Sequence, residues 1–243
     1  MERDPEVYQK MRNEVIVGVD EAGRGAVVGP LSIAAVAVLR NGLDTLKEVI
    51  KYDSKRYSPN KRKELYRYIM DNSLLIKNIL IQPHQINSAM ASGISLNILE
   101  IRYISLLLKD AFTDLLGILE DNREIKVTIQ VDSMYNKEVK CKYLIYYYLG
   151  TIKELTNNFH QIKIICKNKG DEIFPAVRAA SIVAKYLRDR EIEKLKHEFG
   201  EIGSGYPSDP RTIQFLKNIR RVKDDDLIKK LIRIYWKTWR NVV

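Results

Sequence analysis

The stretch with the most evident chemistry is residues 17–30, which read VGVDEAGRGAVVGP. Two adjacent carboxylates, Asp20 and Glu21, end a short apolar run, and a Gly-Arg-Gly turn follows at 23–25. A carboxylate at the end of a buried strand lies where α/β proteins place their reactive groups. Glycines let a backbone approach a ligand closely, and an arginine offers a planar fork to phosphate. The segment predicts an acidic metal or acid–base site followed by a phosphate-contacting turn.

Two further carboxylates stand at comparable places. Asp132 ends an alternating apolar stretch at 125–132, and Asp171 lies just before a predicted helix, whose N-terminal dipole favours an anion. Taken alone, Asp132 is more typical of a strand-end turn and Asp171 of a helix cap. If they converge with Asp20 and Glu21, the four repel one another unless divalent cations bind them. Carboxylate oxygens favour Mg²⁺ or Mn²⁺, and two ions about 3.5–4 Å apart can drive displacement at phosphorus.

The elements that must position these acids alternate between strands and helices along the chain. Five apolar stretches predict strands at 14–20, 30–39, 74–82, 125–132 and 161–167. Helices are predicted over 58–72, 83–91, 95–116, 137–157, 171–199, 208–218 and 224–236. The pattern indicates an α/β fold, with the first three strands antiparallel. If the first and fourth strands are parallel neighbours, Asp20 and Asp132 emerge at one edge of the sheet.

Bulk properties narrow the class of protein. The 243 residues carry a net charge of +10, which suggests a polyanionic partner. Three widely separated histidines make a zinc site unexpected, and Cys141 and Cys166 fit buried free thiols in a reducing compartment. The N-terminus lacks a signal-peptide core, and the longest apolar run, at 31–39, is too short to span a bilayer. We therefore expect a cytoplasmic, soluble protein.

Five ordered motifs carry a family resemblance. They are DEAGRG at 20–25, DSK at 53–55, KGDEIFP at 169–175, AASIVAKYLRDR at 179–190 and GSGYPSDP at 203–210. Together they resemble the type 2 ribonucleases H (ribonuclease HII), and the form of the last motif is similar to the archaeal and eukaryotic branch. Ala26 and Tyr57 depart from the proline and leucine usual there. The resemblance implies a ribonuclease H-like catalytic domain, a five-stranded mixed sheet flanked by helices, over 1–203. A C-terminal helical subdomain would follow at 204–243.

The resemblance also implies an activity. It is metal-dependent endonucleolytic cleavage of RNA in RNA/DNA hybrids, and of duplex DNA 5′ of embedded ribonucleotides, leaving a 3′-hydroxyl and a 5′-phosphate. The implied catalytic and metal-binding residues are Asp20, Glu21, Asp132 and Asp171, with two Mg²⁺ or Mn²⁺ ions. Asp132 lies in a looser motif, VDS, than the other three.

The candidate substrate contacts fall on both sides of these acids, and the resemblance implies those of the Gly-Arg-Gly turn and Tyr206. Main-chain groups of Gly23, Arg24 and Gly25 would read a 2′-hydroxyl, which both donates and accepts hydrogen bonds, while Tyr206 packs on the ribose. Lys185 and Arg188, on a helical stripe with Arg178 and Ser181, would contact phosphates. The remaining candidate phosphate contacts are Lys55, Arg56 and Asn97. Trp236 and Trp239 could clamp a duplex, but tryptophans at such positions are more often core.

Two alternatives remain open from the residues themselves. Another two-metal nuclease or resolvase of the same fold would share the carboxylates but need no ribose reader. A non-catalytic duplex-binding protein would keep only the basic surface. We expect a monomer whose partner is nucleic acid and not a membrane. A sliding-clamp partner stays open, because no Q-x-x-[ILM]-x-x-[FY]-[FY] peptide is evident at the tail.

Overall fold

The computed structural model describes residues 14–119, 126–150 and 161–242. Its strands form one five-stranded sheet in the order β3-β2-β1-β4-β5. The strands are β1 (Glu14–Ala22), β2 (Leu31–Leu39), β3 (Leu75–Ile81), β4 (Lys126–Asp132) and β5 (Gln161–Lys167). The predicted α/β class and all five strands are confirmed, with shifts of one or two residues at their ends.

The sheet is mixed, and its register decides where the acids lie. Strand β1 is antiparallel to β2, and β2 to β3, as predicted. On the other side β1 runs parallel to β4, which runs parallel to β5. Because Val19 pairs with Val131, the following residues Asp20 and Asp132 lie side by side where the pairing of β1 with β4 ends. The parallel pairing that the sequence left conditional is therefore present.

Ten helices lie in the described part of the chain. They are α1 (Leu43–Val49), α2 (Pro59–Asn72), α3 (Pro83–Ala91), α4 (Leu96–Ile118), α5 (Glu138–Gly150), α6 (Gly170–Ile173), α7 (Pro175–Phe199), α8 (Pro210–Val222), α9 (Asp225–Leu231) and α10 (Lys237–Asn241). Short 3₁₀ turns occupy Arg40–Gly42 and Ser54–Arg56. The sequence prediction missed α1, a helix of seven residues with one buried side chain, Leu46.

Two predicted helices are wrong in their extent. The predicted helix over 171–199 is interrupted at Phe174, which is extended, because the proline after it disfavours the helical conformation there. The predicted helix over 224–236 ends at Leu231, since Ile232 turns away and pairs with Val28 as an isolated β-bridge. The predicted helix over 137–157 is observed as α5, and its last residues lie outside the described part of the chain.

Helices cover both faces of the sheet. On one face α4 and α5 pack over a cluster that includes Phe112, Ile129 and Cys141. On the other, α7 lies so close to β1 that a Cβ at Gly18 would fall 2.0 Å from a backbone carbon of Ala176. Only glycine allows that approach, which brings the start of α7 against β1 two residues before Asp20.

A third apolar cluster joins the C-terminal helices to the link between β1 and β2. It contains Val27 and Val28 from that link, Phe215 and Leu216 from α8, and Leu231 from α9. The division of the chain at residue 203 stays a prediction. Both cysteines are free and buried, as expected. None of the described helices has the length and hydropathy to cross a membrane.

Candidate active site

The predicted acids meet in one cleft at the edge of the sheet where β1 and β4 end. The cavity has a volume of about 450 Å³. Its lining includes all four predicted acids, the Gly-Arg-Gly turn and the tyrosine of the GSGYPSDP motif: Asp20, Glu21, Ala22, Gly23, Arg24, Gly25, Ser54, Lys55, Asp132, Asp171, Ser181, Lys185 and Tyr206. Segments far apart in sequence therefore converge there, as the motif reading requires.

Three of the acids form a set that could hold a metal ion. One carboxylate oxygen from each of Asp20, Glu21 and Asp132 lies within 4.8 Å of the other two. Hard oxygen donors at this spacing fit a small divalent cation such as Mg²⁺ or Mn²⁺. Asp171 lines the same cleft but lies outside this close group. The donor set thus matches the predicted kind of site.

The three carboxyl groups resist ionisation in the metal-free protein. Burial, followed by repulsion from Glu21 and Asp132, raises the pKa of Asp20 well above its usual value. Burial and then Asp132 raise the pKa of Glu21 to about 7, against the attraction of Arg24. Burial also raises the pKa of Asp132, although the Gly170 N–H donates to its Oδ1 at 2.6 Å. The surrounding protein groups therefore supply too little positive charge to balance the three carboxylates.

The DSK motif reaches this cleft through a buried hydroxyl pair. Ser54 and Ser181 approach to 3.0 Å between their Oγ atoms, and a hydrogen bond from Ser181 lowers the pKa of Asp20. This contact places Lys55 in the cleft lining. Arg56 points elsewhere: it is outside the lining, with its guanidinium 4.3 Å from the ring centre of Tyr52.

The side chain of Arg24 does not present a free fork to phosphate, so that expectation is corrected. Its Nη1 donates to Glu100 Oε2 at 2.8 Å, and its Nη2 donates to Asn97 Oδ1. Asn97 is thus also engaged within the protein. Glu100 is fully buried, and burial followed by repulsion from Glu21 raises its pKa to about 8. The arginine side chain therefore anchors the turn to α4.

The turn itself has one closed side and one open side. Gly23 has φ of +94°, and a Cβ there would lie 2.3 Å from Arg188 Nε. Its carbonyl accepts from the Ala26 N–H at 3.1 Å. At Gly25 a Cβ would meet no atom within 4 Å, so this residue borders open space. The first glycine is required by packing and φ, whereas the second keeps the backbone accessible.

Arg188 lies against Tyr206 and not on an open basic face, which argues against the predicted phosphate contact. It is fully buried, its Nη2 donates to the Ser204 carbonyl at 3.1 Å, and its guanidinium lies 4.5 Å from the ring centre of Tyr206. It therefore supports the tyrosine from beneath. Lys185 is the cation of this stripe that lines the cleft, with Nζ 2.7 Å from Asp189 Oδ1.

Sequence reasoning missed Arg233, a second fully buried arginine. Its guanidinium donates to the carbonyls of Gly29 and Arg24, which ties the segment after α9 to the Gly-Arg-Gly turn. No local pattern marks it, because it lies in a predicted helix that ends five residues earlier than expected. Trp236 and Trp239 are partly buried against the C-terminal cluster, which favours the core interpretation, and the duplex clamp stays a prediction.

Comparison with known proteins gives one consistent result. The family model for ribonuclease HII matches residues 17–239. Ribonuclease HII of Thermoplasma volcanium is 36% identical over 236 residues, 96% of this chain and 94% of that protein. The ribonuclease H2 structure from Pyrococcus horikoshii OT3 matches with a TM-score of 0.76 and 33% identity, covering 94% and 96% of the two chains. The PCNA:RNase HII complex structure from Archaeoglobus fulgidus gives 0.68 and 31%, covering 92% and 95%.

Proposed function

The chain belongs to the ribonuclease HII family, and from that premise we propose that it also cuts duplex DNA on the 5′ side of single embedded ribonucleotides. As a member it is a ribonuclease H, a nuclease that hydrolyses the RNA of RNA/DNA hybrids. The products we propose are a 3′-hydroxyl and a 5′-phosphate. Because the family is one of nucleases, membership argues against the alternative of a non-catalytic duplex-binding protein.

One observation carries the proposal: groups suited to reading a ribose share a cavity with the carboxylates. Gly23, Gly25 and Tyr206 line the same 450 Å³ cleft as Asp20 and its neighbouring acids. A main-chain group that meets a 2′-hydroxyl can tell ribose from deoxyribose without reading a base. This arrangement allows recognition of one sugar beside one scissile phosphate, which an embedded ribonucleotide requires.

The acids are proposed as the metal site. Asp20, Glu21 and Asp132 would hold the divalent cations through the oxygens that lie within 4.8 Å of one another, with Asp171 beside them in the cleft. When bound, Mg²⁺ or Mn²⁺ ions supply activation of a water and stabilisation of the leaving oxygen. The raised pKa values of these carboxyl groups support the assignment, because a bound cation offsets their mutual repulsion.

The remaining residues hold the substrate in line with these acids. Tyr206 offers a flat ring to the sugar, and Arg188 beneath it keeps the ring from turning inward. Lys55 and Lys185 place positive charge in the lining, where they would attract the phosphates that flank the ribose. Placement to within about 1 Å matters, because a shift of that size can cost on the order of 10² in rate.

A cleavage assay on three matched duplexes tests the proposal. They are an RNA/DNA hybrid, a DNA duplex with one ribonucleotide, and the same duplex without it, each with Mg²⁺, Mn²⁺ or EDTA. We expect cleavage of the first two only, dependent on a divalent cation, with a cut 5′ of the ribonucleotide. Asp20→Asn serves as the inactive control. Cleavage of the all-DNA duplex would favour the alternative of a general nuclease or resolvase.

A sliding clamp is a candidate partner. The Archaeoglobus fulgidus relative, 31% identical to this chain, was solved in complex with PCNA. We propose a clamp partner for this chain on that similarity alone, since the tail carries no evident clamp-binding peptide. Size-exclusion chromatography with a purified archaeal clamp would show co-elution if it binds, and would also report whether the free protein is a monomer.

A further inference from the structure

A residue outside all five motifs controls the backbone of the Gly-Arg-Gly turn. Arg233 follows α9 and is fully buried. Its Nε and Nη2 donate to the Gly29 carbonyl at 3.2 and 3.0 Å, and its Nη1 donates to the Arg24 carbonyl at 3.1 Å. Its main-chain N–H donates to the Val27 carbonyl at 2.9 Å. One side chain thus fixes both ends of the link that follows β1.

The bond to Arg24 has a consequence for the next amide. In a trans peptide the C=O and the following N–H point in opposite directions, and the described peptides are all trans. The Arg24 carbonyl points inward to Arg233, so the Gly25 N–H points outward. Gly25 lines the cleft and borders open space. Within the described residues this N–H has no hydrogen-bond partner, as a group kept for substrate would.

We propose that Arg233 is a positioning residue that orients the Arg24–Gly25 peptide so that the Gly25 N–H donates to the ribose 2′-oxygen. The inference rests on the proposed function and assigns the recognition to a specific donor. The carbonyls of Gly23 and Arg24 already accept bonds from Ala26 and Arg233. In this assignment the Gly25 N–H is the donor that the turn offers to the sugar, and the C-terminal segment takes part in recognition by holding that peptide.

The cost of burying this cation supports a positioning role. Apolar replacements of buried ionic groups are often neutral or stabilising, so stability alone is a weak reason to bury a guanidinium. Burial, followed by repulsion from Arg188, lowers the pKa of Arg233 to about 9. The Arg233 guanidinium lies 5.2 Å from the ring centre of Trp236, and this cation–π contact offsets part of the cost of burying the charge. A guanidinium bonds the two carbonyls from fixed positions on a planar fork, whereas a lysine would offer its donors from a single nitrogen.

The test uses Arg233→Met and Arg233→Lys, with Arg220→Met as the matched control. Arg220 also donates to two C-terminal carbonyls, those of Trp239 and Val242, but it does not contact the turn. We would measure kcat and KM on the duplex with one ribonucleotide, below each variant's unfolding midpoint. The Gly25 amide resonance in ¹⁵N-labelled protein reports the peptide orientation directly.

We expect both Arg233 variants to lose kcat, by about 10²-fold for Met and about tenfold for Lys, with KM within about threefold of wild type. The Gly25 resonance should shift in both and stay in place in Arg220→Met. If the Arg233→Met protein does not fold, the kinetics of the Arg233→Lys protein provide the test. A kcat within about threefold of wild type in the folded variants, or an equal loss in Arg220→Met, would overturn the positioning role. If the wild type itself ignores the ribonucleotide, the proposed function fails instead.

Discussion

The two sides of the cleft are organised on opposite principles. On the acidic side, carboxylates from adjacent parallel strands lie within 4.8 Å of one another, and burial raises their pKa values. On the side of the Gly-Arg-Gly turn, the arginine is held by Glu100 and Asn97, and two carbonyls are bonded within the protein. The acidic side needs charge from outside, whereas the turn is complete before substrate arrives.

Because of this difference, substitutions on the two sides of the cleft should affect catalysis and folding stability differently. Removing a group from the acidic side should abolish catalysis and relieve repulsion, since the buried charges there oppose folding. Removing a group from the side of the turn should weaken both substrate placement and packing, because each anchoring side chain there satisfies hydrogen-bonding groups of its neighbours. Four experiments test that contrast, beginning with the largest expected effect.

Asp20→Asn should reduce cleavage by several orders of magnitude while the fold and hybrid binding survive. The change keeps the shape of the side chain but removes a ligand charge from the group of three acids. It should also raise the unfolding midpoint of the metal-free protein at pH 8, because one of three mutually repelling groups is gone. Single-turnover rates and thermal melts in EDTA would check both. Near-wild-type turnover at saturating Mg²⁺ would contradict the assignment.

Tyr206→Ala should cost about 10²-fold in kcat on a duplex with one ribonucleotide, because the sugar loses the ring that aligns it. A continuous RNA strand should suffer less, since it offers many registers. Arg188→Met should follow the same trend more weakly, because it leaves the ring in place without its support. Steady-state kinetics on both substrates measure the contrast. Equal, small losses on the two would mean that Tyr206 is structural.

Lys185→Ala should weaken hybrid binding several-fold and reduce the salt slope of log K by about 0.9, the value expected for one phosphate contact. Arg188→Met should leave that slope unchanged and lower the unfolding midpoint, because Arg188 is buried away from solvent. Binding isotherms at four salt concentrations, with catalysis blocked by EDTA, would separate the two. A reduced slope in Arg188→Met would restore it as a phosphate contact.

The metal-free protein should lose stability as the pH rises from about 5 to 8. The pKa values of Glu21 and Glu100 are raised from 4.5 to about 7 and about 8. Between those limits the folded protein binds more protons than the unfolded chain, so unfolding becomes easier with rising pH. Thermal melts in EDTA should show it, and Glu100→Gln should flatten the trend. A midpoint that rises with pH over this range would contradict the shifts.

The sequence alone determined the acidic side almost completely. Apolar runs at 15–19 and 125–131 predict buried strands, and a polar residue at the end of such a strand must emerge at the edge of the sheet. Placing Asp20 beside Asp132 required only that the two strands be parallel neighbours, which the register of Val19 with Val131 confirms. Local periodicity reports burial along one element, and the pairing of the two strands stayed conditional until their register was known.

The other side was decided by tertiary structure. The stripe of Arg178, Ser181, Lys185 and Arg188 predicts one exposed basic face, yet Arg178 caps carbonyls at Asp171 and Ile50, and Arg188 is buried under Tyr206. Helical spacing gives the direction of a side chain but not which distant segment covers it.

The two arginine anchors of the turn show the same limit. Arg24 finds Glu100 at a separation of 76 residues, and Arg233 reaches back 209 residues to the Arg24 carbonyl. Nothing local encodes either partner, because each depends on how the C-terminal segment and α4 pack against the same turn. The sequence therefore predicted which residues would carry the chemistry, and the packing of distant elements decided which cations hold the backbone and which line the cleft.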